Sequence, residues 1–268
     1  MACLGGGHGL YQTLLAARRT DAEAISAIVT VADDGGSSGR LRRELEIIPP
    51  GDLRMALAAL SADTEHGKLW ATTLQHRFRG NGAMAGHAVG NLLIAGLSDV
   101  LGDFQGALDA IAKLTDSAGR VLPSVNLPLD IEAYVAGLDD DPRIMRSVRG
   151  QVAVASTVGQ VRRVRIIPER PQANPETLEA LHDADMITLG PGSWFSSVLP
   201  HVLVPDIVEA ITSSDALRVV VLNLSSEPGE TKGFSAERHL HVLAQHAPNL
   251  RVDRVIVDEE SLPNESER

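Results

Sequence analysis

Ile25–Arg40 reads ISAIVTVADDGGSSGR. Its first eight residues are almost continuously apolar and rich in β-branched side chains, the pattern of a strand buried on both faces. Two acids follow, then a run of glycine and serine. A buried strand that empties directly into a glycine-rich loop belongs to a parallel sheet, where such loops gather along one edge. The same grammar recurs along the chain. Met1–Leu4 runs into Gly5-Gly6-Gly7-His8-Gly9, and DMITLGPG (185–192) runs into Ser193. LRVVVLNL (217–224) passes through Asn223 towards Glu227-Pro228-Gly229-Glu230-Thr231. Further strand candidates are Gln151–Thr157, Arg163–Pro168 and Val252–Asp258. Apolar spacing near 3.6 marks helices at Leu10–Arg19, Leu53–Ser61, Gly86–Leu101, Phe104–Leu114, Pro175–His182 and Ala236–His246.

Alternation of strand and helix at this rhythm predicts an α/β fold: an open, mostly parallel sheet with helices on both faces. Residues 40–115 are helix-rich without a clear strand and read as a helical insertion after strand two. Residues 119–168 carry shorter, more polar strands and read as a smaller β region. Residues 1–258 are expected to form one domain, and 259–268 a polar tail.

Composition bounds the function. The 268 residues are 44% hydrophobic and 3% aromatic, so an aliphatic core is expected. With 24 Lys and Arg against 35 Asp and Glu, the net charge is −11, which argues against broad electrostatic binding of nucleic acid or anionic membrane. A single cysteine, Cys3, forms no internal disulfide and no thiolate zinc site. No secretory signal and no membrane-spanning stretch is seen, so a cytoplasmic protein without membrane insertion is expected.

Each loop suggests chemistry. Gly5, Gly6, Gly7, His8 and Gly9 precede a helix whose N-terminal amides and dipole favour phosphate. Gly5 and Gly7 fit the first two positions of a dinucleotide fingerprint, but Leu10 stands at the third, so a nicotinamide-dependent dehydrogenase is disfavoured. Asp33 and Asp34 are placed to bind ribose hydroxyls or Mg2+, or to cap the turn. Gly35, Gly36, Ser37, Ser38 and Gly39 also spell a nucleophile elbow, but two neighbouring carboxylates would oppose an oxyanion. Arg40 follows, as an anion contact or a partner of nearby glutamates. Asp52 caps a helix or faces the cleft. A helix through Gly86–Asn91 would stack Gly86 on Gly90 and His87 on Asn91, implying close approach on that face. Gly190, Gly192 and Ser193 start another loop-to-helix junction, in which Ser193, Ser196 and Ser197 can donate to phosphate oxygens and Trp194 and Phe195 are expected in the core. His201, His239, His241 and His246 show no metal-binding spacing.

Taken together, LGGGHGL, VTVADDGGSSGRLR, PPGD, GHAVGN, LGPGSWFSSVLPH and NLSSEPGETKGFS resemble the YvcK/GlmR gluconeogenesis-factor family of the CofD-like superfamily, in its actinobacterial branch. The resemblance spans Leu4 to about Asp258. It implies a Rossmann-like fold and binding of UDP-sugars, notably UDP-N-acetylglucosamine. It also implies a role in cell shape and wall-precursor supply during gluconeogenic growth, with a cell-wall precursor enzyme as candidate partner. Nucleotide and phosphate contacts carry over to Gly5–Gly9, Asp33–Arg40, Gly190, Gly192, Ser193, Asn223, Gly229, Glu230 and Thr231, with Asp52, His87 and Asn91 as cleft candidates. No cofactor is required for binding; Mg2+ is the candidate metal, on Asp33, Asp34 and Asp52. Members of the family usually continue beyond the last strand here, so weakened nucleotide-sugar binding is an expectation for a chain ending at Arg268. Homo-oligomerisation stays open.

Two functions of different class remain. One is a UDP-sugar-responsive regulator without turnover. The other is a Mg2+-dependent transferase, either a uridylyltransferase or one like 2-phospho-L-lactate transferase. Many phosphate-cradling elements and no evident nucleophile or general base favour the regulator.

Overall fold

The computed structural model describes residues 1–141, 143–225 and 230–259. In chain order the elements are β1 (Ala2–Gly5), α1 (Gly7–Ala17), β2 (Ser26–Val29), α2 (Gly36–Leu45), α3 (Gly51–Leu60), α4 (Glu65–Gln75), α5 (Val89–Leu101), α6 (Phe104–Leu114), β3 (Arg120–Pro123), β4 (Asp130–Ala136) and β5 (Met145–Arg149). There follow α7 (Gln151–Ala155), β6 (Gln160–Ile167), α8 (Pro175–His182), β7 (Met186–Leu189), a π-helical turn (Trp194–Val198), α9 (Leu199–Val202), α10 (Pro205–Ser213), β8 (Leu217–Val221), α11 (Ala236–His246) and β9 (Arg254–Ile256).

Six strands form one parallel sheet in the order β3-β2-β1-β7-β8-β9, with helices around it. Its aliphatic core runs through Cys3, Leu4, Ile28, Val29, Ile187, Leu189 and Val220, all essentially inaccessible. This is the buried parallel sheet that the uninterrupted apolar strands require. From β1 the chain builds outward through β2 and β3 to one side. From β7 it builds through β8 and β9 to the other. The order therefore reverses between β1 and β7, the place where open α/β sheets form their ligand crevice.

Helices α2–α6 fill the connection between the neighbouring strands β2 and β3, as the helical insertion was expected to do. A second, antiparallel sheet has the order β5-β4-β6. The expected small β region is thus real but begins later: β3 pairs with β2 in the main sheet. Its buried Val121 and Leu122 give it the apolar character of the larger sheet.

Two local readings change. Gln151–Thr157 is no strand; Gln151–Ala155 forms the short α7. Val152 and Val154 mimic a period of two. Gly150 at φ 103 breaks the chain before them, and the Asp34 carboxylate accepts the Val152 amide at 3.0 Å, satisfying the first turn of a helix instead. Helix α5 starts at Val89 and not at Gly86, which lies at φ 77 in a turn. Gly86 and His87 therefore do not stack on Gly90 and Asn91. Close approach holds at Gly90 alone, where a Cβ would lie 2.7 Å from Arg54 Cγ and 2.9 Å from Leu74 O.

Among the described residues no single helix is long and apolar enough to cross a membrane.

Candidate functional site

A cleft of about 300 Å3 opens at the carboxyl edge between β1 and β7. Its walls come from the loops after β1, β2 and β7 and from the start of α3. They include Gly6, Gly7, His8, Gly9, Asp33, Asp52, Gly192 and Ser193, together with Thr30, Met55, Gln151, Ser196 and Ser197.

The first and third loops are fitted against each other. A Cβ on Gly9 would overlap the carbonyl of Pro191. One on Gly6 would lie 2.6 Å from Asp52 Oδ2 and 2.8 Å from Thr30 Cγ2. Gly7 sits at φ 53, in the left-handed region. These glycines are what lets the backbone itself line the cleft. His201, fully buried on α9, binds Gly5 O through Nε2 at 3.1 Å. Burial pushes its pKa down to about 4, so the ring is neutral and Nε2 carries the donated hydrogen.

Helix α1 begins at Gly7 with Gly6 as its N-cap and no capping side chain. Contrast α4, α6, α8 and α11, capped by Thr64, Asp103, Asn174 and Ser235; none of these four lends a residue to the cleft. Asp52 accepts from the Gly7 amide. The His8 and Gly9 amides, in the first turn, have no intrahelical acceptor. Both residues line the cleft, at the positive end of the α1 dipole.

Asp33 Oδ1 accepts from the Gly35 amide at 2.9 Å. Ser38 bonds the Asp33 carboxylate and accepts from the Gly51 amide at 2.9 Å, tying the second loop to α3. Burial raises the Asp33 carboxyl above its ordinary range. Burial, with Asp33 nearby, pushes Asp52 up to about 7. Two acids in one cleft thus repel each other, a situation that a cation or a shared proton relieves. Asp34 points elsewhere, to the N-terminus of α7. Among the described residues no three His, Cys, Asp or Glu side chains gather as a metal site. Two carboxylates do fit Mg2+, which usually takes one or two and completes its shell with water and substrate phosphate.

The other expected site residues form two groups. Behind the second loop, Ser37 Oγ bonds His87 Nδ1 at 2.9 Å and accepts from Asn91 Nδ2 at 3.1 Å. Asn91 Oδ1 accepts from Arg54 Nε at 2.9 Å. Ser37, His87 and Asn91 are thus brought together, but outside the cleft walls. Arg40 reaches Ala85 O at 2.8 Å. Gly36, at φ 45, stands clear of neighbours, whereas a Cβ on Gly35 would press on Val152 and one on Gly39 would overlap Asp34 O.

On the far wall, Asn223 clasps Gly192, accepting its amide at 2.8 Å and donating to its carbonyl at 3.0 Å. Gly190, at φ 80, packs under Val221 O. The buried Glu230 carboxylate accepts from the Ser193 and Ser196 hydroxyls and from the Phe195 amide. Thr231 is fully buried beside it in sequence. Trp194 and Phe195 lie in the core, at 1% and 0% exposure. Gly229 falls outside the described residues.

Five residues escaped the reading of the sequence: Thr30, Met55 and Gln151 in the walls, Arg54 behind them and His201 beneath. A threonine inside a strand or a glutamine on a short helix carries no local mark of function. Only Arg54 offered a signal, as a charge on the otherwise apolar face of Leu53–Leu60.

Comparison with known proteins bears on the family and the fold. The model of the family described as "2-phospho-L-lactate transferase CofD" matches residues 1–268. A putative gluconeogenesis factor of Mycobacterium tuberculosis is 59% identical over 268 residues, covering 100% of this chain and 78% of that protein. The gluconeogenesis factor of Bacillus subtilis is 40% identical, with coverages of 100% and 81%. The crystal structure of a UPF0052-family protein from Bacillus halodurans superposes with a TM-score of 0.88 at 39% identity, over 99% of this chain and 81% of that one. The chain is a gluconeogenesis-factor-type member of the CofD family.

Proposed function

We propose that the cleft binds the diphosphate of a UDP-sugar, UDP-N-acetylglucosamine in particular, and that the chain acts as a ligand-responsive regulator. The observation that carries this is the start of α1 at the β1/β7 reversal, where the His8 and Gly9 amides have no acceptor within the helix and where Gly6 and Gly9 have Cβ positions that are already taken. Relatives named as gluconeogenesis factors support a role for such a regulator in gluconeogenic growth. Cell shape and the supply of wall precursors in the cytoplasm are its proposed field of action, through contact with a precursor-forming enzyme. Calorimetric titration with UDP-N-acetylglucosamine tests this. One equivalent bound, with binding lost in Gly6→Val and absent for uridine, supports it. Equal binding of uridine and UDP contradicts it, since the phosphates would then contribute nothing.

The pair Asp33 and Asp52 favours a second reading, a transferase. Both side chains would hold Mg2+, which supplies charge neutralisation on a phosphoryl group when bound. The chain's own contribution is positional: the His8 and Gly9 amides orient phosphate oxygens. Pyrophosphate release from UTP and N-acetylglucosamine 1-phosphate with Mg2+, abolished in Asp52→Asn, would establish turnover. Its absence alongside UDP-sugar binding leaves the regulator.

A further inference from the structure

Beside the cleft lies a larger groove, about 870 Å3, between residues 155–162 and the segment 230–238. Glu230 borders the groove, and its carboxylate is engaged by Ser193, Ser196 and the Phe195 amide on the cleft side. Three cations border the groove, Arg162, Lys232 and Arg238, all exposed. Among the described residues none of them has an ion-pair partner, whereas Arg42, Arg120, Arg146, Arg149, Arg165 and Arg218 are all paired. In a chain of net charge −11, three unpaired cations on one concave surface are an anion site in waiting.

The kind of anion follows from the lining. Arg238 stacks on the Phe234 ring at 5.4 Å from its centroid, which holds the guanidinium in place and leaves its N–H groups free. The same stacking covers the aromatic face that a nucleobase would need. The hydroxyls of Thr157 and Ser235 offer further polar contacts. We propose that this groove is a second site, for a phosphate monoester of a small polar molecule of sugar size. It is separate from the diphosphate cleft and does not depend on the nucleotide reading of that cleft.

Pyridoxal 5′-phosphate is a suitable probe, because its aldehyde condenses with a lysine amine near a bound phosphate, releasing water, and borohydride fixes the adduct. The chain has three lysines, Lys68, Lys113 and Lys232. Labelling followed by peptide mass spectrometry on the whole chain is expected to modify Lys232 about tenfold faster than the other two. Glucose 6-phosphate should protect it, and glucose should not. The double variant Arg162→Gln/Arg238→Gln, at exposed positions, should keep its circular dichroism melt and lose the preference. Equal labelling of the three lysines overturns the proposal, as does failure of glucose 6-phosphate to protect. Protection by UDP as strong as by glucose 6-phosphate also overturns it, because cleft and groove would then be one nucleotide site. Protection of Lys232 in a protein that binds no UDP-sugar upholds the groove while refuting the cleft's assignment.

Discussion

Gly9 has no room for a methyl group, because Pro191 O already occupies that space. Gly9→Ala must therefore push the first loop off the third, and a backbone carbonyl cannot rotate away as a side chain does. The expected loss is about 2–3 kcal/mol in stability, with UDP-sugar affinity reduced tenfold or more. Gly82→Ala, where a Cβ meets nothing within 4 Å, should leave both unchanged; thermal melts and titration of the two variants make the comparison. Asp52 yields a pH prediction. Its carboxyl titrates near 7 in the folded chain against an ordinary 3.8, so the folded state holds the proton more tightly. The stability it contributes is complete below about pH 4 and is lost as pH rises towards 7 and beyond, by up to a few kcal/mol. Asp52→Asn removes that dependence, so denaturant melts of the variant should show a flatter stability profile between pH 4 and 8. The variant should also be the more stable protein at pH 8. A profile as steep as the parent's would mean that Asp52 is charged throughout.

At the scale of elements, the helices capped by the residue before them, α4, α6, α8 and α11, stand apart from the cleft. Thr64→Ala on α4 should cost about 1 kcal/mol and leave ligand affinity untouched, since α4 has no part in the cleft. Asp34 makes a sharper test. Its carboxylate caps α7, whose first residue, Gln151, lines the cleft. Asp34→Asn, which keeps an accepting oxygen, should bind UDP-sugar nearly as the parent does. Asp34→Ala should lose several-fold in affinity through α7, a difference that titration reads directly; equal loss in both would point to a role for the charge itself. The elements also show what a sequence reveals. Phe104–Leu114, Pro175–His182 and Ala236–His246 were legible to the residue, because each has a clear apolar face and a Ser, Asp or Asn cap. β3 and α7 were ambiguous, since four or five apolar residues satisfy either period. The glycine segments announced the cleft because glycine after a buried strand has few other uses. Thr30, Met55 and Gln151 did not, since their role comes only from what the topology sets opposite them.

The whole molecule turns on one reversal of strand order. β1 and β7 are neighbours although some 180 residues separate them, and the chain leaves them in opposite directions. That brings Gly6–Gly9 and Gly192–Ser193 to one rim, with the start of α1 between them. The acidic surface keeps other polyanions away, while backbone amides, carrying no net charge, supply the local attraction. A crystal structure of the chain with UDP-N-acetylglucosamine tests this most directly. The diphosphate oxygens should lie within hydrogen-bond distance of the His8 and Gly9 amides, beside Ser193. A diphosphate bound away from the start of α1, with those amides facing only solvent, would contradict the account.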